Sequence, residues 1–265
     1  MKLEKYKGAS DLLAHYIHRP LENKIVLHLI NTRITPNQIT ILTNMTAYVV
    51  VAFYFLGFLI PGSILSFVVG LMDGLDGKLA RARNQTTKLG KMEHTFDLLF
   101  EFSWLIALAL FLNRSSGDAL PLILCLFSNL FIAFYRYCYD TFSRTMGISL
   151  DIYGDFERVF RRIAGRRNLY NLHILLGVLF SVPLYSLITI TAHAGLTAII
   201  YAWRTAKHLH IADKPSKGSP QQKGDVRLNT GLEDSKSFYV EDEYNLSFLR
   251  EEVKYFLIVF GKGSV

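Results

Sequence analysis

Residues 73–97, DGLDGKLARARNQTTKLGKMEHTFD, carry four acidic side chains between two long apolar runs. Asp73 and Asp76 stand three apart at the end of a run that starts near Ile64. Glu93 and Asp97 stand four apart at the start of the next run. On helices these spacings put each pair on one face, so the two pairs oppose each other across a Gly- and Arg-bearing turn. A single acidic pair on a helix is ordinarily a solvated face. Two pairs beside membrane-length apolar runs are not, because carboxylates near a bilayer interior are costly and need a partner, a cation or a metal.

Converging carboxylates form a hard, oxygen-rich site that suits Mg²⁺, Mn²⁺ or Ca²⁺, with no thiolate or histidine pair to favour zinc or copper. Such an ion beside Arg81 and the Gly77 backbone is arranged to hold a diphosphate. The metal bridges phosphate oxygens, the guanidinium adds a charge-assisted fork, and glycine allows close approach. A carboxylate left partly free can take a proton from an attacking hydroxyl. The chemistry this predicts is metal-assisted phosphoryl or phosphatidyl transfer at a cytoplasmic membrane face.

Composition agrees with a membrane setting. Of 265 residues, 51% are hydrophobic, with 19 Phe and 14 Tyr, and the mean hydropathy is +0.24. The net charge of +7 is carried by basic residues lying between the apolar runs, which suits cytoplasmic loops and anionic phosphate ligands. That alternation argues against nucleic acid as the partner. Cys125 and Cys138 sit in or at the end of one apolar run and read as small buried hydrophobes. The polar, basic first thirty residues do not read as a cleavable signal peptide.

Along the chain the pattern predicts an all-α, integral-membrane bundle of six transmembrane helices with an N-terminal surface amphipathic helix. Residues 1–34 form the amphipathic segment, with Leu21, Ile25, Leu29 and Ile30 at helical spacing. An ordinary helix packed on its own protein fits that segment equally. Thr35 suits an N-cap with Pro36 at the first helical position, and Pro61-Gly62-Ser63 reads as the first turn. Residues 35–210 hold the six spans, the fifth of them short and broken at Pro183, each near the ~20 residues a bilayer needs. Basic loops alternate with nearly uncharged ones, so both termini and the acidic pairs are expected on the cytoplasmic side of a cell membrane. Residues 211–265 read as a polar, partly disordered cytoplasmic tail ending in a short amphipathic helix with Leu249, Val253, Phe256 and Phe260 on one stripe.

Asp73-Gly74-Leu75-Asp76-Gly77-Lys78-Leu79-Ala80-Arg81 resembles the first half of the CDP-alcohol phosphatidyltransferase signature, Asp-x-x-Asp-Gly-x-x-Ala-Arg. Thr35-Pro36-Asn37-Gln38-Ile39-Thr40 and the six-span layout are similar to that family too. The second half of the signature, Gly-x-x-x-Asp-x-x-x-Asp, departs. Counted from Gly90 its acids fall on His94 and Leu98; at the shorter spacing from Arg81 they fall on Glu93 and Asp97, with Leu89 replacing the glycine. The second alignment keeps two acids one turn apart, with Glu standing in for an Asp.

The resemblance implies that Asp73, Asp76, Glu93 and Asp97 hold Mg²⁺ or Mn²⁺ and that Asp97 is also the catalytic base. It implies that Gly77, Ala80 and Arg81 contact the CDP group, and that a hydroxyl acceptor displaces CMP from a CDP-linked lipid donor. A homodimer among membrane lipids is implied as well. Arg136 in the fourth span and Arg166 and Arg167 at the start of the fifth are candidates for binding an acceptor that carries a phosphate, such as inositol phosphate or glycerol phosphate. Arg166 and Arg167 also fit headgroup anchoring. Glu101, one turn beyond Asp97, reads as the partner of an arginine. His173 and His193 read as core residues, and Tyr135, Tyr137 and Tyr139 as an interfacial belt. Competing readings are a CDP-aminoalcohol phosphotransferase acting on diacylglycerol, a non-catalytic CDP-lipid-binding relative, and a divalent-cation transporter.

Overall fold

The computed structural model describes residues 11–85 and 93–213, with the side chains of Glu93 and His94 outside the description. The chain divides into two compact units, Met1–Leu209 and His210–Val265; the fold below belongs to the first, and the expected tail beyond residue 213 lies outside the described residues. All regular secondary structure among the described residues is helical. A π-helical turn, Ala14–His18, leads into α1 (Arg19–Leu29), followed by α2 (Pro36–Leu56), α3 (Leu59–Ala82), α4 (Glu93–Ser116) and α5 (Leu120–Met146). Two short helices, α6 (Leu150–Tyr153) and α7 (Asp155–Ile163), precede α8 (Arg167–Leu179) and α9 (Pro183–Ala212).

Local chemistry explains the first boundaries. Thr35 caps α2 as expected: its hydroxyl accepts from the Gln38 N–H at 3.3 Å and the Gln38 side chain accepts from the Thr35 N–H at 2.9 Å, a reciprocal capping box. The first turn lies earlier than Pro61-Gly62-Ser63. Gly57 ends α2 with φ +87°, and a Cβ there would stand 2.4 Å from the Phe111 ring, so only glycine fits. Pro61 then falls in the first turn of α3, where a missing N–H is no loss.

Five described helices are long and apolar enough to cross a membrane: α2, α3, the Thr95–Ser116 part of α4, α5 and α9. The remaining expected span, the short fifth run, is α8, and at 13 residues it is ~20 Å long against a hydrocarbon core of ~30 Å. Its brevity has a structural cause. The preceding basic stretch folds into α6 and α7, so α8 starts inside the bundle, with Tyr170 and Asn171 fully buried near its beginning. It then runs antiparallel to α9: the Gly165 N–H just before α8 donates to Thr197, and Gly177 near its end lies against Ser186.

The N-terminal helix packs one face on α3. Val26 is buried with Leu75, Leu79 and Ile39, Lys78 pairs with Glu22 at 3.0 Å, and the Glu22 carboxyl covers Gly74. Arg83 ties down the link to α2 by donating to the carbonyls of Leu29, Ile30, Thr32 and Ile34. Leu21 and Leu27 remain exposed on this helix, as do Tyr16 and Ile17 in the π-helical turn before it. The main core lies between the long helices, centred on the fully buried Tyr54, Trp104, Leu105 and Leu108.

Candidate active site

Two walls meet at one end of the bundle. The acidic wall comes from α3 and α4. Arg167, the first residue of α8, joins its two halves: one Nη donates to Asp73 at 2.6 Å and the other to Asp97 at 3.0 Å. Asp76, one turn beyond Asp73, is held from α2, accepting from the Thr40 hydroxyl at 2.5 Å, and it also accepts from the Gly77 N–H at 2.5 Å. The Thr35–Thr40 start of α2 is thereby tied to the acidic motif. Gly77 and Arg81 lie together, since a Cβ at Gly77 would be 3.2 Å from an Arg81 Nη. Ala80 is half-buried on the same helix. Glu93 begins α4, but its side chain lies outside the described residues.

The basic wall is assembled from distant parts of the chain. An open cleft of about 520 Å³ is lined by Asp73 and Asp97 on one side and by Arg136, Arg161, Arg166 and Arg167 on the other. Arg136 pairs with buried Glu101, the arginine partnership expected for that carboxylate. Arg166 lies 3.6 Å from Asp11, which also accepts from Asn168 at 3.1 Å. Arg161 stands 3.8 Å from Asp151, 3.4 Å from the Tyr201 hydroxyl and 4.8 Å from the Tyr139 ring centre.

Several lining residues were not singled out from sequence. Arg161 was hidden in a basic stretch that reads as cytoplasmic anchoring, and Asp11 and Tyr201 carry no local motif. The tyrosine cluster is not simply an interfacial belt. Tyr137 is 71% exposed, whereas Tyr135 is 4% exposed and faces the cleft with Tyr139; their four-residue spacing was the available signal. His173 and His193 are half-buried and hydrogen-bonded to each other at 3.1 Å.

Among the described residues no three His, Cys, Asp or Glu side chains gather closely enough to ligate one ion. The donor chemistry nevertheless fits a divalent cation. Asp73 and Asp97 bring hard oxygens from two helices onto a single positive group, which is what an oxygen-liganded Mg²⁺ or Mn²⁺ requires.

Residues 33–203 match the CDP-alcohol phosphatidyltransferase family. The chain belongs to that family. With five apolar helices besides, it is a multi-pass membrane protein. Over 147 residues it is 32% identical to the bifunctional IPC transferase and DIPP synthase of Aquifex aeolicus, a match covering 52% of this chain and 33% of the relative. Over 99 residues it is 38% identical to the archaetidylinositol phosphate synthase of Pyrococcus horikoshii, covering 36% and 50%. The matches thus span about a third to a half of these curated relatives. Among solved structures, the Mycobacterium tuberculosis phosphatidylinositol phosphate synthase with CDP-DAG bound superposes with a TM-score of 0.53 at 19% identity, covering 72% of this chain and 92% of that one. The same enzyme in complex with manganese and citrate gives 0.51 at 20% identity, covering 77% and 96%. At these identities the likeness is one of fold.

Proposed function

We propose that this family member transfers a phosphatidyl or archaetidyl group from a CDP-linked lipid to the hydroxyl of a polar, phosphate-bearing acceptor, releasing CMP. The observation that carries this reading is the cleft itself. Its acidic wall gathers Asp73 and Asp97 onto one cation, and its other wall presents four arginines. The names of the relatives, synthases of inositol-phosphate-linked lipids among them, point the same way.

Asp73, Asp76, Glu93 and Asp97 would hold Mg²⁺ or Mn²⁺, which when bound neutralises the donor diphosphate and polarises its phosphorus. Gly77, Ala80 and Arg81 contact the CDP group, the small side chains leaving room and the guanidinium pairing with phosphate. Asp97 takes the proton from the acceptor hydroxyl. The acceptor oxygen forms a bond to the lipid-bearing phosphorus, the bond from that phosphorus to the CMP oxygen breaks, and the electron pair leaves on CMP. Arg136, Arg166 and Arg167 hold the acceptor phosphate opposite Asp97; Arg161 joins them on the same wall.

The proposed setting is a cell membrane with the cleft and both termini cytoplasmic, and a homodimer as the assembly. Residues 1–34 form a membrane-surface segment, 35–210 the catalytic domain and 211–265 a cytoplasmic tail. The test is CMP release by purified protein from CDP-diacylglycerol or CDP-archaeol, across inositol 1-phosphate, glycerol 3-phosphate, inositol and serine. Activity should require Mg²⁺ or Mn²⁺, disappear with chelator, and favour phosphorylated acceptors. CMP release only from CDP-choline with diacylglycerol would instead assign an aminoalcohol phosphotransferase.

A further inference from the structure

The acceptor-side arginines sit on a short connection between α7 and α8, and α9 grips that connection at two points. Ile163 ends α7, so its carbonyl has no partner within the helix. The Nε2 of His193 lies 2.8 Å from that oxygen. One turn further along α9, the buried Thr197 hydroxyl donates to the His193 carbonyl at 2.8 Å and accepts from the Gly165 N–H at 2.8 Å. The i−4 bond aims the hydroxyl lone pairs outward, toward the turn.

The histidine tautomers follow from these partners. A carbonyl only accepts, so the Nε2 of His193 is the donor to Ile163, and in the neutral ring Nδ1 is then an acceptor. His173 Nε2 lies 3.1 Å from that Nδ1 and donates to it when His193 is neutral. The relay runs from α8 through α9 to the end of α7, with each group in one role. Gly165 lets the turn pass close to α8 and α9, because a Cβ there would stand 2.1 Å from the Tyr170 hydroxyl and 3.1 Å from Thr197 Oγ1. Arg166 and Arg167 follow immediately, with Arg161 half a turn before the end of α7.

We propose that His193 and Thr197 are positioning residues that fix the Ile163–Gly165 turn and thereby aim Arg166 and Arg167 at the acceptor phosphate. This rests on the phosphatidyl-transfer reading above. Neither side chain touches substrate; both act through the backbone.

The test uses the full chain in lipid nanodiscs, comparing wild type with His193→Phe, Thr197→Val and His193→Gln, whose amide N–H reaches for the same carbonyl. Three quantities are read: KM for inositol 1-phosphate, KM for CDP-diacylglycerol, and hydrogen exchange of peptides covering residues 160–168. His193→Phe and Thr197→Val should raise exchange in that segment and raise acceptor KM about five- to tenfold, the equivalent of one neutral hydrogen bond. Donor KM should hold, and His193→Gln should recover most of the loss. Unchanged exchange, parallel rises in both KM values, or a Gln variant as impaired as Phe would overturn the proposal. If wild type releases no CMP with any acceptor, phosphatidyl transfer fails, yet inorganic phosphate still decides the aim of the arginines. Phosphate protection of the 160–168 peptides in wild type that weakens in Thr197→Val supports the proposal, and no protection in wild type sinks it.

Discussion

The two walls of the cleft are built in opposite ways. The acidic wall draws on Asp73 and Asp97 at the edges of adjoining helices, with Asp76 three residues beyond Asp73 on the same helix. The basic wall draws on Asp11, Arg136, Arg161, Arg166, Arg167 and Tyr201, which no short-range period connects. A wall made by helical periodicity tolerates distant change, whereas a wall made by packing depends on every contact that aims it. Arg167 belongs to both, since it stands on the basic side and bonds Asp73 and Asp97.

The sharpest break of the acidic wall is Asp97→Asn. Loss of a general base should lower CMP release about a thousandfold, and unchanged turnover would remove Asp97 from that role. On the shared residue, Arg167→Gln should reduce kcat/KM for a phosphorylated acceptor about a hundredfold, as when one partner of a hydrogen-bonded charge pair is removed. An equal loss with unphosphorylated acceptors would assign Arg167 to the acidic wall alone.

Support of the basic wall is tested at Glu157 on α7, which accepts from Arg204 and lies 2.6 Å from His208 Nε2, both on α9. Burial opposes its ionisation, but hydrogen bonds from Arg204 and His208 outweigh it and hold the carboxyl below its ordinary range. Glu157→Gln should lower stability by about 2 kcal/mol, read as the thermal midpoint in detergent. A carboxyl with a depressed folded pKa stabilises above its unfolded value, ~4.3, and that contribution fades as pH falls through the folded value. The gap between wild type and variant should therefore be full near neutrality and close only as pH falls below the ordinary carboxyl range. The smallest effect is expected at the exposed start of α2, where Thr35→Ala should cost about 1 kcal/mol with acceptor preference unchanged.

The sequence was most legible where one element decides the outcome. The N-cap at Thr35, the apolar runs and the one-turn spacing of Asp73 and Asp76 follow from backbone geometry and hydropathy. It was least legible where two elements compete. Pro61-Gly62-Ser63 carries the stronger local turn signal, yet Gly57 makes the turn, in a left-handed conformation (φ +87°) that glycine adopts freely. The fifth run is apolar enough to suggest a span, but α6 and α7 use up the chain before it, so α8 starts within the bundle. Tyr135 and Tyr139 look like their neighbour Tyr137 until α5 is packed and two of the three turn inward.

By itself, then, the sequence determined an all-helical membrane chain, the family to which it belongs, and the helix edges bearing the acidic motif. Those depend on composition and on periods of a few residues, which survive in any packing. Only the tertiary structure decided that Arg167 bridges Asp73 and Asp97, that Asp11 meets Arg166, and that α9 holds the turn before them. Each joins residues dozens of positions apart or more, and no local rule carries the direction of a side chain across such a distance.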